Sequence, residues 1–282
     1  MILDGKSVSK IIKEELKIEI DELISENIIP ALAVIFVGNS DESLSYINMK
    51  RKMCESLNVK FLLYSFSESI SETEIIECIE SINNDNNIHG ILIQLPLPSK
   101  YNKNKLIDLI SYDKDIDGFH TMNAGRIFQN NDINIIPCTP QGCIDLIDYY
   151  GIDVEGMNIT MIGTSNLVGL PLSMLLLQRG ATITLCNIHT KDIKNHTIKS
   201  DMIITCCGVP KMVKNDWIKE NVIIIDIGIN YMEENGVKKM VGDVDYEDVQ
   251  SKTSMITPVP GGIGPMTVIS LIKNLLKLIK RN

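Results

Sequence analysis

ITMIGTSNLVGLPLSML, residues 159–175, predicts a buried strand, a glycine turn and a helix. An apolar run at 159–162 forms the strand, Gly163 ends it, and a second apolar run that contains Pro171 follows as the helix. Such a turn can hold nucleotide phosphates at the helix N-terminus. The spacing from Gly163 to Gly169 is not that of the standard dinucleotide fingerprint, so the turn taken alone also suits a purely structural α/β domain.

The same pattern of apolar strands and amphipathic helices extends over both halves of the chain. Continuous apolar runs closed by glycine or proline are typical of buried parallel strands, and apolar residues at three- and four-residue steps indicate helices. Asp41 and Ser43 are the candidate caps of the second helix. The predicted strands are 31–38, 59–66, 89–98, 158–163, 181–186, 201–208 and 221–229, and the predicted helices are 7–25, 41–58, 71–82, 138–150 and 264–280.

This alternation predicts an α/β fold with parallel sheets covered on both faces. The chain has 282 residues, which is too long for one typical core, so two domains are expected. The Pro-Cys-Thr-Pro segment at 137–140 marks the boundary. We expect an N-terminal α/β domain over residues 1–137, completed by a C-terminal helix at 264–282 that packs back on it, and a Rossmann-type domain over 138–263.

The composition argues against several classes of protein. A net charge of −9 and a pI of about 5.0 argue against a large nucleic-acid-binding face. The chain has neither a signal-peptide pattern nor an apolar run near the ~18 residues that cross a bilayer. We therefore expect a cytoplasmic protein with no nucleic-acid or membrane partner. The seven cysteines are expected to be reduced and buried, and the four histidines lack metal-ligand spacing, so no metal site is expected.

Tyr46, Lys50 and Gln94 are candidates for chemistry. Tyr46 and Lys50 are four residues apart on a predicted helix and so share one face. A tyrosine can stack on a flat ring and a lysine can supply a proton or a positive charge, although an exposed helix face with a snorkelling lysine is the alternative. Gln94 ends an apolar strand, where ligands bind in open α/β sheets. It could equally cap its own backbone.

Two further segments have unusual composition. In DKDIDGFH, residues 113–120, the carboxylates Asp113, Asp115 and Asp117 cluster in one turn. Two of them could bind a divalent cation, one could accept two hydrogen bonds from an amino-substituted heterocycle, or the turn could simply be solvated. TPVPGGIGPMT, residues 257–267, has three glycines and three prolines, which suits a rigid, tightly turning backbone that a flat ligand could approach.

These segments occur in the order SLSYINMK, GILIQLPLP, KDIDGFH, PCTP, IGTSNLVGLP, DIGIN, GDVD and TPVPGGIGPMT, over nearly the whole chain. In that order they resemble the bifunctional methylenetetrahydrofolate dehydrogenase/methenyltetrahydrofolate cyclohydrolase family. The resemblance implies two reactions in one cleft: a hydride passes from the methylene bridge of the folate to a nicotinamide, and water then converts the methenyl cation to formyl-tetrahydrofolate. It also implies that residues 1–137 bind the folate and that residues 138–263 bind the dinucleotide.

The resemblance assigns a role to each candidate residue. Lys50 matches the key catalytic lysine of the family, and Gln94 matches the glutamine that works with it. Tyr46 would pack against the folate rings, and Asp117 matches the carboxylate that grips the pterin. The family members are usually homodimers, so a homodimer is expected. A monofunctional dehydrogenase or cyclohydrolase and a non-catalytic nucleotide-binding protein stay open as alternatives.

The chain departs from the family pattern at the dinucleotide site. Thr164 stands where the family usually has an arginine facing the 2′-phosphate of NADP, and Ile188 stands where it has a serine. Either Lys191 or His189 supplies the missing charge, or the enzyme accepts NAD; we expect NADP on family grounds. The expected cofactor-binding residues are Gly163, Thr164, Ser165, Ile188 and Ile229.

Overall fold

The computed structural model describes residues 1–131, 135–234 and 236–281. The chain divides into two compact units. The first unit consists of Ile12–Cys138 and Val268–Asn282, and the second unit consists of Met1–Ile11 and Thr139–Thr267. Asn282, the last residue of the predicted C-terminal segment, lies outside the described residues.

The described residues form both helices and strands. A 3-10 turn lies at Asn215–Trp217. The helices are α1 Gly5–Ser25, α2 Asp41–Glu55, α3 Glu72–Asn83, α4 Lys103–Leu109, α5 Thr121–Gln129, α6 Cys138–Tyr149, α7 Gly169–Gln178, α8 Ile193–Thr197, α9 Tyr246–Val249 and α10 Ile263–Arg281. The strands are β1 Ala31–Val37, β2 Lys60–Phe66, β3 Gly90–Ile93, β4 Asn158–Ile162, β5 Thr182–Cys186, β6 Met202–Thr205, β7 Val222–Asp226, β8 Asn230–Glu234, β9 Val237–Val241 and β10 Thr253–Ile256.

The first unit is built on a parallel sheet of three strands in the order β2-β1-β3. Every residue of the central strand β1 is buried, because both faces of the sheet are covered. Leu32 points into one hydrophobic cluster, and its neighbour Ala33 points into another. Ile272 and Leu275 of α10 belong to the first of these clusters, so the C-terminal helix packs back on this sheet as predicted.

The second unit contains a parallel sheet of five strands in the order β10-β7-β6-β4-β5. If the five strands are numbered 1 to 5 in the order in which they occur along the chain, their order across the sheet from β5 to β10 is 2-1-3-4-5. This is a doubly wound order with a switch point between β4 and β6. Ile203 and Ile224 lie in its buried core. The predicted α/β class with two parallel sheets is confirmed.

One detail of the second helix differs from the sequence prediction. Asp41 and Ser43 are not its caps: α2 is capped by Ser40, whose hydroxyl accepts a hydrogen bond from the backbone N–H of Ser43 at 3.4 Å. Asp41 is already the first helical residue. In the part of the chain that the structure describes, no helix has the length and hydropathy of a membrane span.

Candidate active site

Lys50 and Gln94 are in direct contact. Gln94 follows β3 at its carboxyl end, where its backbone N–H donates to the carbonyl of Ile35 in β1 at 2.8 Å. Its side-chain amide donates to the carbonyl of Leu95 at 2.8 Å, which turns the amide oxygen toward the amine. That oxygen, Oε1, lies 3.1 Å from Lys50 Nζ. Because Gln94 is only 7% exposed, the lysine is held by a fixed acceptor.

Tyr46 lies one helical turn before Lys50 on α2. Both side chains are half-buried, and the four-residue spacing puts them on the same face of the helix. The structure therefore places the predicted ring-stacking residue and the predicted amine side by side along α2. Neither side chain is fully exposed.

The carboxylate of Asp117 contacts the thiol of Cys138. The thiol Sγ of Cys138 lies 3.6 Å from Asp117 Oδ1 and 3.6 Å from the carbonyl oxygen of Ile116. Burial raises the pKa of the Cys138 thiol well above its usual range, the Asp117 charge raises this pKa further, and the Lys50 charge lowers it. The structure thus gives two direct contacts, Lys50 with Gln94 and Asp117 with Cys138, and the Lys50 charge also acts on the Cys138 thiol.

Asn274 of α10 holds the turn that carries Asp117. Its side-chain amide donates to the carbonyl of Ile116 at 2.9 Å and to that of Ile136 at 2.8 Å. Asn274 is fully buried, so these hydrogen bonds are shielded from water. The helix far along the chain therefore fixes the backbone immediately before Asp117.

Asp115 is a structural residue of the acidic turn. It is 2% exposed, and it accepts hydrogen bonds from the backbone N–H groups of Gly118 at 3.1 Å and His120 at 2.9 Å. The side chain of Asn123 donates to it as well, at 2.9 Å. Burial raises the pKa of Asp115. Among the described residues, no group of three His, Cys, Asp or Glu side chains is arranged to hold a metal ion.

In the second unit, the glycine turn after β4 has a close backbone approach at both of its glycines. Gly163 has φ +118°, and a Cβ atom there would lie 2.6 Å from the carbonyl oxygen of Cys206. A Cβ atom on Gly169 would lie 2.0 Å from the carbonyl oxygen of Gly163. Helix α7 starts after Val168, which provides no side-chain cap. Leu170 donates its N–H to the carbonyl of Ser165 at 3.1 Å and Pro171 has no N–H, which leaves the N–H of Gly169 for a bound phosphate. The turn fits a dinucleotide.

The other expected cofactor residues surround this turn at the carboxyl edge of the sheet. Thr164 is half-buried and Ser165 is exposed, and the Ser165 hydroxyl accepts the N–H of Val168 at 3.2 Å. Ile188 follows the edge strand β5 and is 91% exposed. Ile229 follows β7 and is 38% exposed. These apolar side chains at the ends of strands offer contact surface and no charge for a 2′-phosphate.

His189 and Lys191, which could supply that charge, are both exposed in the segment after β5. The backbone here is fixed by a local turn: Asn187 Oδ1 accepts the N–H of His189 at 2.9 Å, and Thr190 Oγ1 accepts the N–H of Asn187 at 2.8 Å. Two exposed basic groups therefore flank Ile188 on an ordered turn.

The segment 257–267 also lies in the second unit, where it packs on the start of α1. The carbonyl of Gly261 accepts the N–H of Lys6 at 2.9 Å. A Cβ atom on Gly5 would lie 2.0 Å from the carbonyl oxygen of Gly262. The tight backbone predicted for this segment is present.

Sequence reasoning missed two sets of residues near these sites. Cys138 was expected only to fill space, yet it contacts Asp117. The buried carboxylates Asp226 and Asp243 appear in the motifs DIGIN and GDVD, but nothing singled them out as candidates. For Asp226 the available signal was an aspartate at the end of an otherwise apolar strand, since a charge there needs several hydrogen bonds.

Comparison with known proteins gives full-length matches. Residues 3–117 match the family model of the tetrahydrofolate dehydrogenase/cyclohydrolase catalytic domain, and residues 137–282 match that of its NAD(P)-binding domain. The Bifunctional protein FolD of a Nitratiruptor species is 48% identical over 99% of this chain and 98% of that protein. The Bifunctional protein FolD of Aquifex aeolicus is 47% identical over 100% of this chain and 96% of that protein.

A solved structure agrees along the whole chain. The bifunctional enzyme FolD-methylenetetrahydrofolate dehydrogenase/cyclohydrolase from Campylobacter jejuni is 44% identical, has a TM-score of 0.97, and aligns over 100% of this chain and 99% of that one. Both halves of the chain thus match both domains of one enzyme family in sequence and in fold. The chain belongs to the tetrahydrofolate dehydrogenase/cyclohydrolase family.

Proposed function

We propose that this enzyme oxidises 5,10-methylenetetrahydrofolate to 5,10-methenyltetrahydrofolate with NAD(P) and then hydrolyses that product to 10-formyltetrahydrofolate. Relatives that are 47–48% identical over the whole chain are named as the bifunctional enzyme. The observation that carries the proposal is the contact of Lys50 Nζ with Gln94 Oε1 at 3.1 Å. An amine held at a strand end by a buried amide is a suitable proton carrier.

Lys50 and Gln94 serve the hydrolytic step. The methenyl bridge is cationic, so water adds to its carbon and releases a proton, and one carbon–nitrogen bond then breaks to leave the formyl group. Lys50 carries protons between the water and the departing nitrogen, while Gln94 fixes the position of the amine. Both residues act on the same carbon atom that the first step oxidises.

Tyr46 and Asp117 bind the folate in this proposal. The ring of Tyr46 packs against the flat substrate rings beside Lys50. The carboxylate of Asp117 accepts hydrogen bonds from N–H groups of the pterin, which anchors one end of the substrate. The support for these roles is the position of Tyr46 one turn from Lys50 and the contact of Asp117 with Cys138, whose thiol pKa the Lys50 charge lowers.

We assign the folate-binding catalytic domain to residues 1–137 together with 264–282, and the dinucleotide-binding domain to 138–263. The residues that would hold the dinucleotide are Gly163, Thr164, Ser165, Ile188 and Ile229. When bound, the oxidised nicotinamide supplies the hydride acceptor for the first reaction. The family models over 3–117 and 137–282 support the two domains, and the packing of Ile272 and Leu275 on the first sheet supports placing the C-terminal helix with the catalytic domain.

The test is an assay of both reactions on the wild type and on Lys50→Met. The wild type forms reduced nicotinamide from methylene-tetrahydrofolate, and it removes the methenyl absorbance of added methenyl-tetrahydrofolate. In Lys50→Met we expect the hydrolysis to fall by at least about a hundredfold, because no proton carrier replaces the amine. Lys52→Met, two residues along the same helix and exposed, is the matched control and keeps full activity.

The outcomes separate the alternatives. Full hydrolysis by Lys50→Met would contradict the role of the lysine. One activity without the other in the wild type would indicate a monofunctional enzyme, and the absence of both would indicate a non-catalytic nucleotide-binding protein.

We further propose NADP as the preferred dinucleotide. A solved relative, the Trypanosoma brucei enzyme, is described as complexed with NADP; it is 29% identical, has a TM-score of 0.96, and aligns over 100% of this chain and 97% of that one. Since Thr164 cannot form the bidentate pair of an arginine, the exposed Lys191 supplies the charge.

The cofactor proposal is tested by titrating NADP and NAD under the same conditions. Lys191→Ala should weaken NADP about tenfold and leave NAD unchanged, because a charged hydrogen bond contributes about 1.5–3 kcal/mol. Equal affinities for NADP and NAD in the wild type would overturn the preference.

We also propose a homodimer and a cytoplasmic location. The seven free cysteines support a reducing compartment. Sedimentation of the purified enzyme at micromolar concentration tests the dimer, and a mass of one 31.5 kDa chain would contradict it.

A further inference from the structure

The loop 206–209, which follows β6, lies directly beside the glycine turn. The backbone N–H of Cys206 donates to the carbonyl of Ile162 in β4 at 2.8 Å, and the Cys206 thiol lies 3.5 Å from the carbonyl oxygen of Gly163. These two segments leave neighbouring strands at the switch point of the sheet. In doubly wound sheets the ligand binds in the crevice at this point. The loop 206–209 therefore forms one side of the proposed dinucleotide site.

Asp243 holds this loop through three successive backbone groups. Its Oδ2 accepts the N–H of Cys207 at 2.7 Å and that of Gly208 at 3.2 Å, and its Oδ1 accepts the N–H of Val209 at 3.0 Å. The side-chain amide of Asn230 adds a fourth hydrogen bond to Oδ1 at 2.9 Å. Successive N–H groups that converge in this way normally bind an anion. Here the anion is a carboxylate of the chain itself.

Asp226 fixes the backbone that carries Asp243. Asp226 is 3% exposed and accepts the N–H of Asp243 at 3.1 Å and that of Val244 at 2.9 Å. A Cβ atom on Gly242 would lie 1.8 Å from Asp226 Oδ2, so only glycine lets the two segments approach. Asp243 is fully buried. Its carboxylate is therefore held in one position by hydrogen bonds to four groups.

We propose that Asp243 is a positioning residue for dinucleotide binding: it sets the loop 206–209 against the glycine turn before the cofactor arrives. Preforming a binding loop removes the entropy cost of ordering it on binding. The inference rests on the proposed function, since it concerns the dinucleotide site of that reaction. Asp243 belongs to the second unit, whereas Lys50, Gln94 and Asp117 belong to the first.

The two activities provide an internal control. Hydrolysis of methenyl-tetrahydrofolate consumes no dinucleotide, so a positioning residue for the dinucleotide changes the dehydrogenase alone. A residue that only stabilises the fold would lower both activities in proportion. The variant Asp243→Asn keeps the shape of the side chain but turns an NH₂ donor toward backbone N–H donors, which removes part of the anchoring.

In Asp243→Asn we expect the KM for NADP to rise about tenfold or more. We expect the KM for the folate, and the rate of hydrolysis of added methenyl-tetrahydrofolate, to stay within about twofold. Glu247→Gln, an exposed substitution in the same segment, is the control and leaves every parameter unchanged. An unchanged KM for NADP in Asp243→Asn, or an equal loss of both activities, would overturn the inference. A wild type without either activity would instead refute the proposed function.

A measurement on the wild type covers the case in which the variant does not fold. Amide hydrogen exchange of residues 207–209 is recorded without and with NADP. We expect strong protection already without NADP, because three carboxylate hydrogen bonds hold these amides. Fast exchange without NADP that becomes slow only after its addition would show that the cofactor orders the loop, and the inference would be wrong.

Discussion

Asp115 and Asp117 are two residues apart in the acidic turn, yet their environments differ. Asp115 is buried and accepts three hydrogen bonds, whereas Asp117 is half-buried and contacts the Cys138 thiol. The first carboxylate holds the turn together, and the second is available to a ligand. The sequence DKDIDG does not distinguish them by composition, because both are aspartates in the same polar segment.

Two matched substitutions test this difference. Asp115→Asn should lower the free energy of unfolding by about 1–3 kcal/mol, since it leaves buried N–H donors facing an NH₂ group. Asp117→Asn should change stability by less than about 0.5 kcal/mol and raise the KM for methylene-tetrahydrofolate about tenfold. Urea unfolding followed by circular dichroism and steady-state kinetics measure the two quantities. Equal losses of stability in both variants would be contrary to this division of roles.

At the scale of elements, the strongly apolar segments were predictable from sequence and the polar ones were not. The predicted strand 31–38 is β1, because a continuous apolar run of this length is typical of a parallel strand that is buried on both faces of its sheet. The segment 89–98, predicted as a strand that ends in a proline-rich loop, contains β3, Gly90–Ile93, and the strand ends before Pro96 and Pro98, which have no N–H to donate to a neighbouring strand. The antiparallel pair β8–β9 was missed because its sequence, NYMEE and VKKMV, lacks a long apolar run.

Helix α5 allows a prediction at the same scale. Gly125 lies in its middle, and a Cβ atom added there meets no atom within 4 Å. Gly125→Ala should therefore raise the free energy of unfolding by about 0.5–1 kcal/mol, because alanine loses less backbone freedom in a helix. Urea unfolding followed by circular dichroism measures the change.

Gly118, in the turn before α5, gives the contrasting control. It has φ +72°, and a Cβ atom there would lie 2.8 Å from the backbone nitrogen of Pro137. Gly118→Ala should destabilise the protein. If Gly125→Ala and Gly118→Ala changed the free energy of unfolding in the same direction, helix propensity would not explain the effect of Gly125→Ala.

At the scale of the whole molecule, the site depends on topology more than on any one motif. Lys50 lies on α2, Gln94 follows β3, and Asp117 lies in a turn held by Asn274 of α10. Each residue could be singled out from its own segment. Their convergence was implied only by the family resemblance, because no local pattern encodes a contact over 158 residues such as that of Asn274 with Ile116. For the same reason Cys138 and Asp243 escaped notice.

The stability of the whole fold depends on pH. The buried carboxyl group of Asp226 lowers this stability when it is charged. Burial raises the pKa of Asp226 from 3.8 to about 6, although hydrogen bonds from the backbone N–H groups of Val244 and Asp243 lower it in part. The folded state therefore binds the proton more tightly than the unfolded state between these two values. Stability contributed by this group is present at low pH and is lost as pH rises from about 4 to about 6. One pKa unit corresponds to about 1.4 kcal/mol, so the loss is roughly 3 kcal/mol.

The contribution of Asp201, in the same unit, has the opposite dependence on pH. A hydrogen bond from Lys219 lowers the pKa of its carboxyl group, so its contribution to stability is lost as pH falls. The only tryptophan, Trp217, packs against the core of this unit, and its fluorescence therefore reports the unfolding of the part of the chain that contains both aspartates. Urea unfolding of the wild type, Asp226→Asn and Asp201→Asn is followed in this way from pH 4.5 to 7.5.

The difference in unfolding free energy between the wild type and Asp226→Asn should be larger at pH 4.5 than at pH 7.5, because only the wild type loses stability when Asp226 ionises. The difference between the wild type and Asp201→Asn should change in the opposite direction, since that carboxylate stabilises the fold only when it is charged. A difference for Asp226→Asn that stayed constant or grew with pH would mean that its four hydrogen bonds outweigh the cost of burying its charge.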